Sequence, residues 1–305
     1  MHQPVMGTDL ELQITAASVA AARAAEADLV TEAKRLEAVF TVFDPGSDLC
    51  AWRSGAVAEA GPELARLLAI AAFWQVRSGG AFNPLTRVLT DCWHRAEREQ
   101  VPPSRGELAV VAGSIAAPAF AVTEGGGIER RRACDHLDLN AVAKGHVVDL
   151  LATRALARDG VERVVVNAGG DLLHRGTGTL RVGVEDPHHA YDNVPPLLTV
   201  LVADGAVATS GRARRWFQVD GQRRSRVLDP RTGWPVEHGA SATVIAPDAA
   251  TADVVATVAS VLVPPEAVAF VDGLAGDGID AACLVIDAGG GRHRSARWPA
   301  DEAPA

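Results

Sequence analysis

Lysine is almost missing from this chain. Lys34 and Lys144 are the only two, so nearly all of the 29 basic residues are arginine. Acids outnumber bases, 38 to 29, for a formal charge of −9. That balance argues against a general nucleic-acid or anionic-membrane partner. It does not exclude a phosphate held locally by backbone N–H groups and a metal. The four cysteines, Cys50, Cys92, Cys134 and Cys283, stand far apart with no CxxC and no histidine at ligand spacing. A structural zinc site is therefore not expected; buried thiols are, with one or two disulfides as the alternative. No apolar run is long enough to span a bilayer. The start, Met1-His2-Gln3-Pro4, lacks a basic region followed by an apolar run. The expectation is a cytoplasmic chain, exported only if a leader has been removed. Familiar site signatures are missing too: there is no G-x-x-x-x-G-K-[ST], H-E-x-x-H or G-x-S-x-G, and Gly176-Thr177-Gly178 is followed by Arg181 where a dinucleotide fingerprint needs glycine.

What is present suits a globular protein. The 305 residues are 48% hydrophobic and 22% charged. Alternation at Leu10, Leu12 and Ile14 predicts a strand, and apolar residues at helical spacing from Ala17 to Phe40 predict a long helix, broken by a turn at 44–48. Helices are predicted over 63–77, from Pro84 to Arg98 with Asn83 as N-cap, and over 104–112. A strand at 119–123 precedes a helix from Ala143 to Arg158, with Gly160 as its C-cap. Strands follow at 161–167, 180–184, 197–203 and 206–209. A hairpin about Asp220-Gly221 pairs 216–219 with 225–228. Strand 243–245, helices 250–262 and 265–274, and strand 281–286 complete the pattern, with a disordered tail from 299 to 305. A helix-rich first third followed by irregularly mixed strands and helices predicts an α+β fold with mixed sheets, in one domain over residues 1–298.

Polar clusters sit at the ends of apolar elements: Gly80 to Pro84, Asp138 to Gly145, Gly169-Gly170-Asp171, Thr209-Ser210-Gly211, Asp229 to Gly233, and Ala252 to Thr257. Each alone has a plain structural use as a turn or a helix start. Lys144 stands out by its rarity, at a junction where a helix N-terminus can face a phosphate. Asp253 and Thr257, four apart, share one helix face. A carboxylate and a hydroxyl together offer hard oxygen ligands of the kind Mg²⁺ takes, the rest of its shell being water and substrate phosphate.

In this order the clusters resemble the ApbE family, the FAD:protein FMN transferases, from Met6-Gly7-Thr8 to about Leu262. The segments that carry the likeness are Asp138 to Gly145, Asn167 to Asp171, Ala208 to Gly211, Leu228 to Gly233 and Ala252-Asp253 with Thr257. The resemblance implies an ApbE-like fold that binds FAD and Mg²⁺ and moves FMN onto a Ser or Thr hydroxyl of a target flavoprotein, releasing AMP. It implies Asp253, Thr257 and the Ala141 carbonyl as metal ligands. Met6, Phe43, Ala81, Phe82, Asn83, Asp138, Lys144 and Leu228 are implied as FAD contacts. The chain departs from the family at Asn83, where Asp is usual, and at Phe43, often Tyr. At Arg226 the family usually has a histidine that is a candidate base, and an arginine stays protonated. Arg226 is the implied catalytic position beside Asp253 and Thr257. The alternative reading is an ApbE-like protein that holds FAD, or slowly splits it, without flavinylating a protein.

Overall fold

The computed structural model describes residues 2–190, 194–212 and 216–299, so all but the first residue of the predicted tail lies outside them. In chain order the first elements are β1 (His2–Val5), β2 (Thr8–Ala16), α1 (Val19–Phe40), α2 (Asp48–Ser54), α3 (Pro62–Arg77), α4 (Arg87–Glu99) and α5 (Arg105–Ala116). Then come β3 (Phe120–Val122), β4 (Ile128–Arg130), α6 (Asn140–Leu156), β5 (Val161–Ala168), β6 (Asp171–Gly176), β7 (Leu180–Val184) and β8 (Leu198–Val202). The remainder is β9 (Gly205–Gly211), β10 (Trp216–Val219), β11 (Gln222–Ser225), β12 (Gly239–Ala246), α7 (Ala249–Val261), α8 (Pro264–Gly273), β13 (Ala282–Asp287) and β14 (Arg292–Arg294). It is a mixed α+β fold with helices concentrated in the N-terminal part.

Eight strands form one antiparallel sheet in the order β1-β2-β5-β6-β9-β12-β13-β14. Strand alternation divides its side chains between two cores. On β13, Cys283 and Val285 join the main core, under α6, α7 and the N-terminal helices. Ala282, Leu284 and Ile286 face the other way, onto the β7–β8 hairpin. All four cysteines are buried free thiols.

Several boundaries differ from expectation, each for a local reason. Gly169 and Gly170, with φ of 62° and 100°, close a two-residue hairpin that pairs Ala168 with Asp171. The pair thus opens β6, a strand the sequence reading does not contain. The hairpin at Asp220-Gly221 pairs 216–219 with 222–225, not with 225–228. Leu228 instead bridges to Pro235. Helix α4 starts at Arg87, and Asn83 is not its cap. The Asn83 Oδ1 accepts the Leu85 N–H at 2.9 Å and its Nδ2 donates to the Ile115 carbonyl at 2.8 Å. Helix α6 begins at Asn140, earlier than expected, and Gly160 lies beyond its end, in the turn to β5. The short α2, capped by Ser47 onto the Cys50 N–H, lies where only the preceding turn is predicted.

Candidate functional site

Helices α6 and α7 cross closely, and two residues of α6 set how they cross. A methyl group on Gly145 would stand 2.2 Å from the Ala249 carbonyl oxygen, so only glycine allows this approach. One turn later, Asp149 accepts the Ala249 and Ala250 N–H groups at 2.7 and 2.9 Å. It supplies acceptors for two donors that the start of α7 leaves without helical partners. Burial pushes the Asp149 carboxyl up to about 6, against those two hydrogen bonds.

This crossing brings Asp253 of α7 beside Lys144 of α6. Lys144 Nζ lies 3.6 Å from Asp253 and pairs more closely with Asp171 at the start of β6. Burial alone would lower the Lys144 ammonium, but the charges of Asp253 and Asp171 outweigh it and hold the group protonated. Burial pushes both carboxyls up, with Asp253 adding to the effect at Asp171 and Lys144 opposing it. Two buried acids therefore share one ammonium, and that ammonium is one of the chain's two. The Gly145 N–H, which a helix aims at the Ala141 carbonyl, is also 3.4 Å from Asp253 Oδ2.

The acid–lysine cluster forms part of a cleft of about 640 Å³. Its lining includes Phe43, Ala81, Phe82, Asn83, Asp138, Ala141, Lys144, Arg226, Leu228, Asp253 and Thr257, drawn from distant segments of the chain. Met6 is not among the lining residues. It sits at φ 55° in the tight β1–β2 turn, with its N–H on Glu37 Oε1 at 2.6 Å and its side chain against the main core. Asp138 accepts the Asn140 N–H at 2.9 Å and lies 3.9 Å from Arg87. Phe43 stands on the rim, 81% exposed. Asn83 reaches the cleft with both ends of its amide already hydrogen-bonded. A carboxylate there could not donate to the Ile115 carbonyl, which accounts for the neutral residue at this position.

The segment from Asp229 to Gly233 is a closed turn. Gly233 N–H returns to the Asp229 carbonyl at 2.7 Å, Arg231 forks onto the Asp229 carboxylate, and Trp93 Nε1 donates to the Gly233 carbonyl at 2.9 Å. It holds Leu228 and Pro230 against the cleft. Thr209 and Ser210 also line the cleft, with hydroxyls paired to Thr243 and Ser260.

The sequence reading misses two contributions. It places Asp171 in a polar cluster at a strand end and in a segment that carries the family likeness, but gives it no role in the site. It also misses the polar face of α4, where Arg87, Thr90, Asp91 and His94 line the cleft while Leu89, Cys92, Trp93 and Ala96 are buried. The spacing of those polar residues by three and four is the signal that could have found them.

An antiparallel sheet carrying a close helix pair and a cleft with an acid–lysine cluster matches a known structural class. The ApbE protein of Thermotoga maritima superposes with a TM-score of 0.83, at 26% identity over 97% of this chain and 96% of that one. The ApbE family pattern matches residues 6–282, and the chain belongs to that family. The FAD:protein FMN transferase of Escherichia coli K12 is 37% identical over 137 residues, covering 43% of this chain and 38% of that protein. The FAD:protein FMN transferase of Rhodobacter capsulatus is 30% identical over 263 residues, 83% of this chain and 49% of that protein. The matched stretches thus span less than half the length of these two relatives.

Proposed function

We propose that the protein is a Mg²⁺-dependent FAD:protein FMN transferase, moving FMN from FAD to a Ser or Thr hydroxyl of a target flavoprotein and releasing AMP. The observation that carries this reading is the convergence of Asp171, Lys144, Asp253 and Thr257 on one cleft. Phosphoryl transfer depends mainly on positioning and on neutralising charge at the pyrophosphate. Lys144 supplies a point charge at that wall.

The donor set fits Mg²⁺. Among the described residues no three His, Cys, Asp or Glu side chains form a metal cage. Mg²⁺ does not need one, because it keeps waters and is completed by substrate phosphates. Asp253, Thr257 and the Ala141 carbonyl would hold it, all through oxygen, beside two buried acids with a single ammonium between them. When bound it would polarise the phosphoryl oxygens of FAD. Around it Phe43 offers a ring face to a flavin or adenine, and Phe82 and Leu228 give the cleft apolar walls.

Incubation with FAD, Mg²⁺ and a flavoprotein domain carrying the acceptor residue of the family's targets should give a covalent flavin band and AMP. Asp253→Ala should abolish the Mg²⁺-dependent part. Bound FAD without a band would sink the transferase reading. It would favour a second one, an FAD-holding protein or slow FAD pyrophosphatase. Arg226 is the observation on that side: a permanent cation lies in the cleft, over the Phe217 ring at 4.9 Å.

A further inference from the structure

A hydroxyl that attacks phosphorus must lose its proton, and the acids of the cleft have other partners. Asp171 and Asp253 share Lys144. Asp138 accepts an N–H group at the start of α6. Asp91 faces His136 at 3.4 Å. One lining residue remains whose chemistry suits the task. His94 is the only histidine among the described residues that line the cleft, and histidine is the side chain most often used as a general base.

Its surroundings hold it in a defined pose. The ring meets Phe217 edge-on, 5.3 Å between centroids at 81°. The Arg226 guanidinium lies over the same Phe217 ring. His94 Nδ1 is 3.6 Å from Glu97 Oε2, one turn further along α4. Glu97 is itself fixed, because its other oxygen accepts the Gln218 N–H at 2.8 Å. A carboxylate beside Nδ1 favours the tautomer with the proton on that nitrogen and leaves Nε2 free to accept. The charged groups about the imidazole are Glu97 and Asp91 on α4, His136 beside Asp91, and Arg226 beyond β11.

We propose that His94 is the proton acceptor for the attacking hydroxyl, positioned by Glu97, and that Arg226 beside it offsets phosphate charge. This rests on the transferase reading. In the step, the acceptor oxygen bonds to the phosphorus of the FMN half while its proton passes to His94 Nε2. The bond from that phosphorus to the oxygen shared with the AMP half breaks, and AMP leaves with the electron pair. The imidazolium then returns its proton to solvent. The arrangement also gives this chain an answer to the arginine at position 226: the base is carried by α4, where His94 and Arg226 both approach Glu97 Oε2, at 3.6 and 4.0 Å.

The test compares wild type, His94→Gln, His94→Ala and Glu97→Gln in the covalent-flavin assay, with FAD affinity read separately from flavin fluorescence. His94 is at the surface of α4, so both substitutions should fold. In His94→Gln, kcat should fall by about 10²–10⁴, the usual contribution of a general base. FAD affinity should stay within about twofold, since the loss is confined to the chemical step. The acidic limb of the wild-type kcat/KM profile should vanish in His94→Gln. Glu97→Gln should lower kcat less than His94→Gln does, with FAD affinity unchanged, because it loosens the pose of the imidazole without removing the base. Added imidazole should restore part of the rate to His94→Ala. A wild type that transfers FMN beside a His94→Gln variant equally active with the same pH profile would overturn the assignment and leave the transferase reading standing. A wild type that binds FAD but makes no covalent flavin would overturn both.

Discussion

At the scale of single residues, the chemistry of the cleft depends on groups placed where their charge is costly. Lys144, Asp171 and Asp253 offset one another, but His146, two residues beyond Lys144, has no such partner. It is buried against Phe40, its Nε2 has no hydrogen bond, and burial, aided by Arg66, lowers its pKa to about 4. Its folded-state pKa is below the unfolded value, so the stability it carries is present above pH 6.5 and is lost as pH falls through 4. Asp149 has the opposite sign: its pKa is raised to about 6, so its contribution is present below 3.8 and is lost as pH rises through 6. His146→Leu isolates the first effect. Relative to this variant, the unfolding free energy of wild type should drop between pH 7 and 4, by on the order of 3 kcal/mol when the proton is fully taken up. Denaturant unfolding across that range reads it. A wild-type-to-variant gap that does not change with pH would mean that His146 is not held neutral.

At the scale of elements, the site depends on the α6–α7 crossing more than on either helix. Gly145→Ala removes no side chain from the cleft, yet the helices must part to admit its methyl group. The expected cost is about 1–3 kcal/mol, typical of overpacking, and on the transferase reading Mg²⁺-dependent transfer should fall as Asp253 moves away from Lys144. Gly113→Ala, in α5 with open space around it, is the control and should be neutral or gain up to about 1 kcal/mol. Unfolding curves and the transfer assay together distinguish helix separation from loss of a ligand; equal stability of the two variants would refute the packing argument. Helix faces are also where the sequence was most legible. The i,i+4 spacing of Asp253 and Thr257 and the isolation of Lys144 both survive into the three-dimensional cleft. Legibility failed where one local pattern serves two structures. Gly-Gly-Asp ends a strand as readily as it turns a hairpin, so β6 and the placement of Asp171 were lost. Asn83 before proline reads as a helix cap, but its amide is committed to Ile115, a partner 32 residues away that no local pattern shows. His94 was missed because a polar stripe on a helix ordinarily means solvent, not a cleft wall.

At the scale of the whole molecule, the cleft is walled by parts far apart in the chain: the β5–β6 hairpin, α4, the α6–α7 pair and the turn after β11. A ligand touching all of them should stabilise the folded chain as a unit. On the transferase reading, FAD and Mg²⁺ each contribute about 2.7 kcal/mol when present at 100 times their dissociation constants, seen as a rise in Tm, and Asp253→Ala should lose the Mg²⁺ contribution. An equal rise in that variant would remove Asp253 from the proposed metal site. The strand order carries a further consequence. Strands β2 and β5 are direct neighbours in the sheet, with Leu10 opposite Ala168, yet residues 17–160 and six helices lie between them in the chain. The entropy of closing so long a loop is modest at equilibrium, about 0.6 kcal/mol for each doubling of length. Its effect on time is larger, because folding slows as contacting residues lie further apart in sequence. On the ribosome, β2 emerges before the whole helical insertion and must wait for it before its partner strand β5 exists. Until then β2 presents an unpaired edge, and the helices that will wall the cleft must reach near-native positions before the sheet beneath them can close.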